Sequence, residues 1–133
     1  MLRLTVIVSR NREGKILLQF RDSRAPSEPL GWNFFGGSAK EKESPMEALI
    51  REVKEELALD ISSRDVRLLA ERHWRSPNSD KEKMVYFYEG VAPIEWGNFA
   101  VREGAGAAFL TKEEIAMLHC ISPLARTFVA DYC

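Results

Sequence analysis

Alternating apolar and polar residues at the start of the chain predict β-strands. Residues 2–9 alternate and are rich in β-branched side chains, and residues 15–21 form a second apolar run after a polar turn that contains a glycine. These two segments together predict a β-hairpin. Residues 22–31 contain two prolines and a glycine, so we expect a loop there. Further strands are predicted at residues 32–35, 66–75, 83–91 and 104–110, with a polar loop between the two longest.

Apolar residues recur at helical spacing in the middle of the chain. A helix is predicted to begin after Ser44 as its N-cap, with Pro45 in the first position and Glu47 completing a capping box, and to end at about Ala58. Because its apolar residues fall on one face, we expect that face to pack against the core. Those residues are Met46, Leu49, Ile50, Val53 and Leu57.

Two shorter helices are predicted near the end of the chain. Thr111 is followed by Glu113 and Glu114 in the pattern of a second capping box, which opens a helix to about residue 119. Ser122 and Pro123 open a last helix to about residue 131. This order of strands and helices predicts an α+β fold, with a mixed sheet between helices, in a single domain over residues 1–133.

The composition is that of a folded globular domain, since 45% of the 133 residues are apolar and 29% are charged. A net charge of −1 argues against a general nucleic-acid binder, so no nucleic-acid polymer is expected as a partner. The N-terminal segment has neither a signal-peptide cleavage site nor a membrane-spanning apolar run, which favours a cytoplasmic protein without a membrane partner. Cys120 and Cys133 lack metal-site spacing. An exposed edge strand would allow a monomer or a homodimer.

Three glutamates near the end of the central helix are not explained by helix stability. Glu52, Glu55 and Glu56 are spaced i, i+3 and i+4, which places their carboxylates on one helix face. Like charges at these spacings repel by roughly 0.2–0.5 kcal/mol per pair, and the helix dipole disfavours negative charge in the last turns. A hard divalent cation such as Mg²⁺ or Mn²⁺, which prefers oxygen ligands, would explain the cluster. The alternative is a solvated acidic patch paired with Arg51 and Lys54.

The residues around the cluster follow a longer pattern. A glycine is followed after five residues by a glutamate, and after seven more residues by Arg-Glu. Then come an aliphatic residue, any residue, Glu-Glu, any residue, a small residue and an aliphatic residue. This resembles the signature of the Nudix hydrolases, and the aromatic lead-in WNFFGG at residues 32–37 is similar to that family as well. The matching positions are Gly37, Glu43, Arg51, Glu52, Val53, Glu55, Glu56 and Leu59.

Some positions depart from the family pattern. Ala58 stands where the family has its final glycine, and Phe35 stands where proline is usual. A left-handed cap formed by alanine costs about 1 kcal/mol or more, so we expect the helix to extend slightly past Ala58. Lys40 and Lys42 occupy positions where relatives often carry Glu and Gly. None of these changes removes a predicted metal ligand.

The resemblance implies a Nudix-type α/β/α sandwich and hydrolysis of a nucleoside diphosphate linked to another group X, with Mg²⁺ or Mn²⁺ as cofactor. Carried over by position, the metal ligands would be Glu52, Glu55 and Glu56, and the carbonyl of Gly36 often completes such a site. Glu43 would support the site or bind the metal through water. The implied partner is therefore a small nucleotide.

The catalytic residues implied by the resemblance are Arg51 and a general base. Arg51 would orient a glutamate through a salt bridge, with Glu55 or Glu47 one turn away as the expected partner. The base is a motif glutamate, Glu55 or Glu56, in some relatives and a loop glutamate in others. We predict Glu103, before a small-residue strand, as a base of the second kind; the alternative is a solvated loop acid. Weaker candidates are Glu89 and Glu95.

Substrate recognition is less well defined by the sequence. A nucleoside triphosphate cleaved to monophosphate and pyrophosphate is the first expectation, because a small single domain favours a compact nucleotide. A nucleotide sugar, a dinucleoside polyphosphate and a non-catalytic nucleotide sensor remain alternatives. Residues that could bind a base or phosphates, but that are more often core or surface residues, are Phe34, Phe35, Trp74, Tyr86, Tyr88, Arg21, Arg24 and Arg75. Lone histidines, expected to be structural, are His73 and His119.

Overall fold

The computed structural model describes residues 1–23, 31–75 and 80–133, and its first helix lies between two groups of strands. Within these ranges the elements are β1 (Leu2–Val8), β2 (Ile16–Phe20), β3 (Trp32–Asn33), β4 (Phe35–Ser38), α1 (Pro45–Leu57), β5 (Val66–Arg75), β6 (Glu82–Gly90), β7 (Gly106–Leu110), α2 (Lys112–Ala116) and α3 (Pro123–Tyr132).

The strands form two sheets between the helices. The larger sheet has the order β4-β1-β6-β5, in which β1 and β6 are parallel and the other pairs are antiparallel. The smaller sheet, β3-β2-β7, is antiparallel throughout. The predicted α+β class with a mixed sheet is therefore confirmed, and the division into two sheets is a refinement of it.

The first two strands do not form the extended hairpin predicted from the sequence. Their turn is tight, since Asn11 N–H donates to Lys15 O at 3.0 Å and Gly14 adopts a φ of +80°. Beyond one bridge between Arg10 and Ile16, however, β1 and β2 separate into different sheets. Each strand pairs with other partners instead: β1 with β4 and β6, and β2 with β3 and β7.

The aromatic segment at residues 32–35 is two strands rather than the single strand predicted. β3 pairs with β2, whereas β4 pairs with β1, so the chain changes sheets at Phe34. The N–H of Phe34 donates to the side-chain oxygen of Asn33 at 2.8 Å instead of to a neighbouring strand. The glycine pair therefore lies within β4, and a separate loop leads from β4 to α1.

Two buried clusters lie on opposite sides of the sheets. Successive residues of β1 alternate between them, because neighbouring side chains of a strand point to opposite faces. On one side Phe87 stacks on Phe128 of α3 with ring centroids 3.8 Å apart. That cluster includes Val6, Val8, Phe34, Val85, Leu124 and Val129. The cluster under α1 consists of Ile7, Leu17, Phe35, Leu49, Val53, Leu57, Val66 and Tyr88.

The central helix has the predicted N-terminus and a different C-terminus. Ser44 accepts from the N–H of Glu47, and Glu47 accepts from the N–H of Ser44, which confirms the capping box. The helix does not extend past Ala58, which adopts the left-handed conformation (φ 54°, ψ 33°) and donates its N–H to Lys54 O at 3.1 Å. Ala58 therefore ends the helix in a left-handed conformation that is strained for alanine, at the position where the Nudix pattern has glycine.

The remaining elements differ from prediction mainly at their ends. α2 has the predicted Thr111–Glu114 capping box but stops at Ala116, and β7 begins at Gly106. The predicted loops at 22–31 and between β5 and β6 lie largely outside the described residues. Among the described residues, no helix combines the length and apolar character needed to cross a membrane.

Candidate functional site

The acidic end of α1 is pressed against the glycines of β4. Glu56 is only 3% exposed, and one of its carboxylate oxygens accepts the N–H of Gly36 at 2.8 Å. A Cβ added to Gly37 would lie 2.4 Å from the carboxylate carbon of Glu52, so only glycine leaves room for that group. A Cβ on Gly36 would lie 2.0 Å from the backbone oxygen of Thr5. The two glycines thus let two carboxylates reach the strand.

Arg51 organises the outer side of this cluster. Its guanidinium donates to both oxygens of Glu43, at 2.8 and 2.9 Å, and to Glu52 at 2.8 Å. The expected partner Glu55 is more distant, at 3.5 Å, while Glu47 is engaged in the capping box. The predicted salt bridge to Glu55 is therefore present, whereas the shorter contacts to Glu43 and Glu52 were not predicted and Glu47 is not a partner.

These contacts have a clear electrostatic effect. The hydrogen bonds from Arg51 lower the pKa of Glu43 to about 2, so Glu43 is ionised at neutral pH. Arg51 also donates to the carbonyl of Ser38 at 3.0 Å, and Glu43 accepts the N–H of Lys40 at 2.9 Å. Together these bonds tie the loop between β4 and α1 to the helix. The arrangement explains why an arginine with a planar, bidentate fork occupies this position.

The inner carboxylates experience the opposite effect. Burial raises the pKa of Glu56 to about 9, and a hydrogen bond and like charge from Glu103 add to that increase. Burial also raises the pKa of Glu52, although its bond with Arg51 opposes the increase. Two carboxylates at this wall, with a third hydrogen-bonded to one of them, form a concentration of negative charge that requires either protons or a cation.

Glu103 reaches the helix because the loop that carries it is tied to the end of α1. The N–H of Arg102 donates to Glu56 O at 2.7 Å, and the N–H of Ala100 donates to Leu57 O at 3.0 Å. These bonds also satisfy carbonyls that a helix end leaves unpaired. Gly104 then turns with a φ of +86°, and a Cβ there would approach Phe20 O to 2.8 Å. The structure therefore places the sequence-predicted Glu103 beside Glu56.

The carboxylates form one wall of a cleft of about 370 Å³, within the size range of small-molecule sites. It continues from α1 and β4 across the start of β1 to β5, β6 and the N-terminus of α3. Its described lining residues are Leu2, Leu4, Val6, Arg21, Asn33, Phe34, Gly36, Gly37, Ser38, Glu52, Glu56, Trp74, Lys83, Glu103, Ser122, Pro123 and Leu124.

The donor set at this wall fits a hard divalent cation. It includes the carboxylate oxygens of Glu52 and Glu56, the kind of ligand that Mg²⁺ and Mn²⁺ prefer. Among the described residues, no three Asp, Glu, His or Cys side chains converge on a common point as they stand. Glu52 is turned to Arg51, and the side chain of Glu55 is 58% exposed. A cation held here would therefore require these side chains to turn toward Glu56.

The weaker candidates for a general base lie elsewhere. Glu89 is held between Arg10 and Arg67, and Glu95 accepts the N–H of Arg12 at 2.8 Å. Neither glutamate lines the cleft.

The residues named for base or phosphate binding divide between core, surface and cleft. Phe34 lines the cleft although it is only 2% exposed, and Trp74 and Arg21 line it as well. Arg75 and His73 instead contact Glu82 outside the cleft. Phe35, Tyr86 and Tyr88 belong to the cluster under α1, where they are buried or partly buried. His119 is exposed, and Arg24 lies outside the described residues.

Sequence reasoning missed four polar residues among those described for the cleft, Asn33, Ser38, Lys83 and Ser122. A signal for Lys83 was available, because strand alternation places it on the same face as Val85 and Phe87, which are fully buried. Asn33 and Ser122 had no such signal. They line the same cleft because β3 is joined to the start of α3: Trp32 N–H donates to Cys120 O, and Ser122 N–H donates to Trp32 O.

Comparison with known proteins agrees with this architecture. A NUDIX domain family model matches residues 1–132. The chain is 43% identical over 51 residues to an Escherichia coli (strain K12) CTP pyrophosphohydrolase, covering 38% of this chain and 37% of that protein. It is 31% identical over 99 residues to an RNA pyrophosphohydrolase from Hydrogenovibrio crunogenus (strain DSM 25203 / XCL-2), covering 64% and 56%. These matches thus span less than two thirds of either curated relative.

The fold is found in solved structures as well. A MutT protein from Methanosarcina mazei Go1 superposes with a TM-score of 0.81 over 97% of this chain and 90% of that one, at 19% identity. With the family model matching almost the whole chain and the signature glutamates gathered at one end of a helix, the chain belongs to the Nudix family.

Proposed function

We propose that this protein is a pyrophosphohydrolase that requires Mg²⁺ or Mn²⁺ and acts on a nucleoside diphosphate linked to another group. The observation that carries the proposal is the wall of Glu52 and Glu56 against β4, with Glu103 beside it, at one end of a cleft of nucleotide size. A structural role alone does not explain why such mutually repelling groups are gathered at a cleft.

Glu52, Glu55 and Glu56 would hold the cation, with the Gly36 carbonyl close by. A bound divalent cation would neutralise charge on the phosphate groups and favour attack by water. Glu43 does not need to bind the cation to be important. Held by both nitrogens of the Arg51 fork, it fixes the arginine that in turn holds Glu52.

Glu103 would act as the general base. A water oxygen forms a bond to phosphorus, the bond between that phosphorus and its bridging oxygen breaks, and the proton from water passes to the Glu103 carboxylate. The loop bonds from Arg102 and Ala100 to the end of α1 hold this carboxylate close to the cation-binding wall. Glu56 itself is less suited to the role because it is buried and hydrogen-bonded to Gly36.

The first substrate to consider is a nucleoside triphosphate, which would give a monophosphate and pyrophosphate. The cleft volume suits a compact nucleotide, and the CTP pyrophosphohydrolase named above indicates that related proteins take such a substrate. A nucleotide sugar, a dinucleoside polyphosphate and binding without turnover are alternative outcomes of the same test.

The test measures release of nucleoside monophosphate, pyrophosphate and phosphate from a panel of nucleotides, nucleotide sugars and dinucleoside polyphosphates with Mg²⁺ or Mn²⁺. Wild-type protein, Glu56→Gln and a control, Glu113→Gln, would be compared, because Glu113 is an exposed acid on α2. We expect release from at least one nucleotide, lost by about 100-fold or more in Glu56→Gln and retained in the control. Turnover that persists within threefold in Glu56→Gln would refute the ligand assignment, and no turnover by wild type would refute the enzymatic role.

A further inference from the structure

A second cavity, with a volume of about 270 Å³, lies on the α1 side of the larger sheet. It is bounded by the C-terminal half of α1, by the ends of β1 and β6, and by the segments that follow α1 and β6. Much of its wall is apolar and is formed by Ile7, Val53, Leu57, Ile61, Val66 and Ile94. In the part of the chain that the structure describes, no residue lines both this cavity and the cleft, so the two are separate.

A buried serine opens onto this second cavity. Ser9 is only 4% exposed and lies two residues after Ile7, so strand alternation places both side chains on the α1 side. The Ser9 carbonyl accepts the N–H of Leu17 at 2.9 Å, but its hydroxyl has no hydrogen-bond partner among the described residues. Every fully buried polar side-chain atom in those residues does have a partner, so the Ser9 oxygen must be accessible from the cavity that it lines.

The charged residues of the lining are on the solvent side of the cavity. Asp60, Arg64 and Asp65 are all exposed. Asp60 pairs with Lys54 at 3.2 Å, and Asp65 accepts the N–H of Ser62 at 2.8 Å. A charged ligand group placed deeper, against Ser9, would lose its hydration without gaining an opposite charge. The part of a ligand that enters this cavity is therefore neutral.

The walls favour an organic molecule over water. An ordered water needs about two to four polar partners, whereas Ser9 is the single buried polar side chain of the described lining. An apolar cavity of about 150 Å³ is large enough to bind benzene, so a ring with a substituent fits here. A hydroxyl or carbonyl group on that ring would complete the hydrogen bonding of Ser9, which can both donate and accept.

We propose that this cavity is a second ligand site, which binds a small neutral molecule with an apolar ring and one hydroxyl or carbonyl group paired with Ser9. The apolar body would be held by the aliphatic side chains of α1 and of the segment that follows it, among them Val53, Leu57 and Ile61. Binding at this site requires neither the metal nor the nucleotide of the proposed function.

The test titrates the protein with p-cresol and with toluene, which differ by one hydroxyl group, and follows the backbone amides by two-dimensional NMR. We expect saturable shifts at Ile61, Val66 and Val91, and binding of p-cresol that is at least about threefold tighter than that of toluene. Ser9→Ala should remove this difference between the probes. The matched control is Ser63→Ala, because Ser63 is exposed and is not part of the described lining; it should keep the difference.

Gly90→Leu is a second variant, which fills the cavity. Gly90 lies on the same face of β6 as Tyr88, and a Cβ there would meet Ala92 O at 3.5 Å, an ordinary contact that allows a side chain. Binding of both probes should weaken by about tenfold or more in Gly90→Leu.

Four results would overturn the proposal. They are no saturable binding by wild type, equal affinity of wild type for the two probes, a difference between the probes that persists in Ser9→Ala, and unchanged binding in Gly90→Leu. Shifts confined to cleft residues such as Asn33 and Lys83 would also overturn it, because they would place the probes elsewhere. Neither probe is a nucleotide, so any of these results would leave the proposed hydrolase standing, and a lack of nucleotide turnover would leave this site standing.

Discussion

Replacing Gly37 with alanine is expected to disable the site while leaving the domain folded. The added Cβ would lie 2.4 Å from the carboxylate carbon of Glu52 and 2.5–2.6 Å from its two oxygens. Because non-bonded heavy atoms are most stable at about 3.5–4.0 Å, that carboxylate must retreat by about 1 Å. Its hydrogen bond with Arg51, now 2.8 Å, would be lost or redirected.

The expected magnitude follows from that displacement. Misplacement of a reacting or ligating group by about 1 Å can cost about 100-fold in rate, so we expect kcat/KM to fall by about that factor. The free energy of unfolding should change by less than about 1 kcal/mol, since the displaced atoms are the end of a flexible side chain. Gly36→Ala offers a contrast, because there the clash is with the backbone of Thr5 and stability itself should fall.

The assay is steady-state turnover of the best nucleotide of the panel, with thermal unfolding measured on the same preparations. Gly106→Ala is the matched control, since an added Cβ there has nothing within 4 Å. If Gly37→Ala kept kcat/KM within threefold of wild type while remaining folded, Glu52 would have no part in catalysis and the reasoning would be wrong.

Other predictions follow from single features of α1. Ala58→Gly should relieve the left-handed strain and stabilise the protein by about 0.5–1 kcal/mol, an increase in Tm of about 2–5 °C; an unchanged or lower Tm would argue against it. Arg51→Lys cannot reproduce the fork with Glu43 and should lower kcat/KM by about tenfold or more, whereas equal activity would remove the positioning role. Because the pKa of Glu56 is raised to about 9 in the folded state, its stabilising contribution is complete below the unfolded pKa near 4.5 and is lost as pH rises toward 9. In EDTA the free energy of unfolding should thus fall between pH 5 and 9, by at most about 1.4 kcal/mol per unit, and a slope unaltered in Glu56→Gln would rule out this group as its source.

The parts of the site that follow from local chemistry were predictable from the sequence. Ser44, Pro45 and Glu47 begin the helix through contacts within four residues, and the spacing of Glu52 and Glu56 fixes their shared face. The role of Glu43 as the main partner of Arg51 was not predictable in this way. It depends on how the loop from β4 folds back over the helix, which is a contact across eight residues.

Long-range contacts account for most of the remaining differences. The division of residues 32–38 into β3 and β4 depends on Phe34 and Phe35 entering different cores, which no pattern within that segment specifies. Likewise, the cleft residues Asn33, Lys83 and Ser122 come from β3, β6 and the start of α3. Lys83 alone could have been suspected, as a charge in line with buried residues of its strand.

The most direct test of the central claim is a titration of the protein with Mn²⁺ and Mg²⁺ by calorimetry, without and with a non-hydrolysable nucleotide analogue. The wall of Glu52 and Glu56 predicts saturable binding by wild type, weakened by about tenfold or more in Glu56→Gln and unchanged in Glu113→Gln. Equal binding by wild type and Glu56→Gln, or no binding by wild type even with the analogue, would contradict a cation site at this wall.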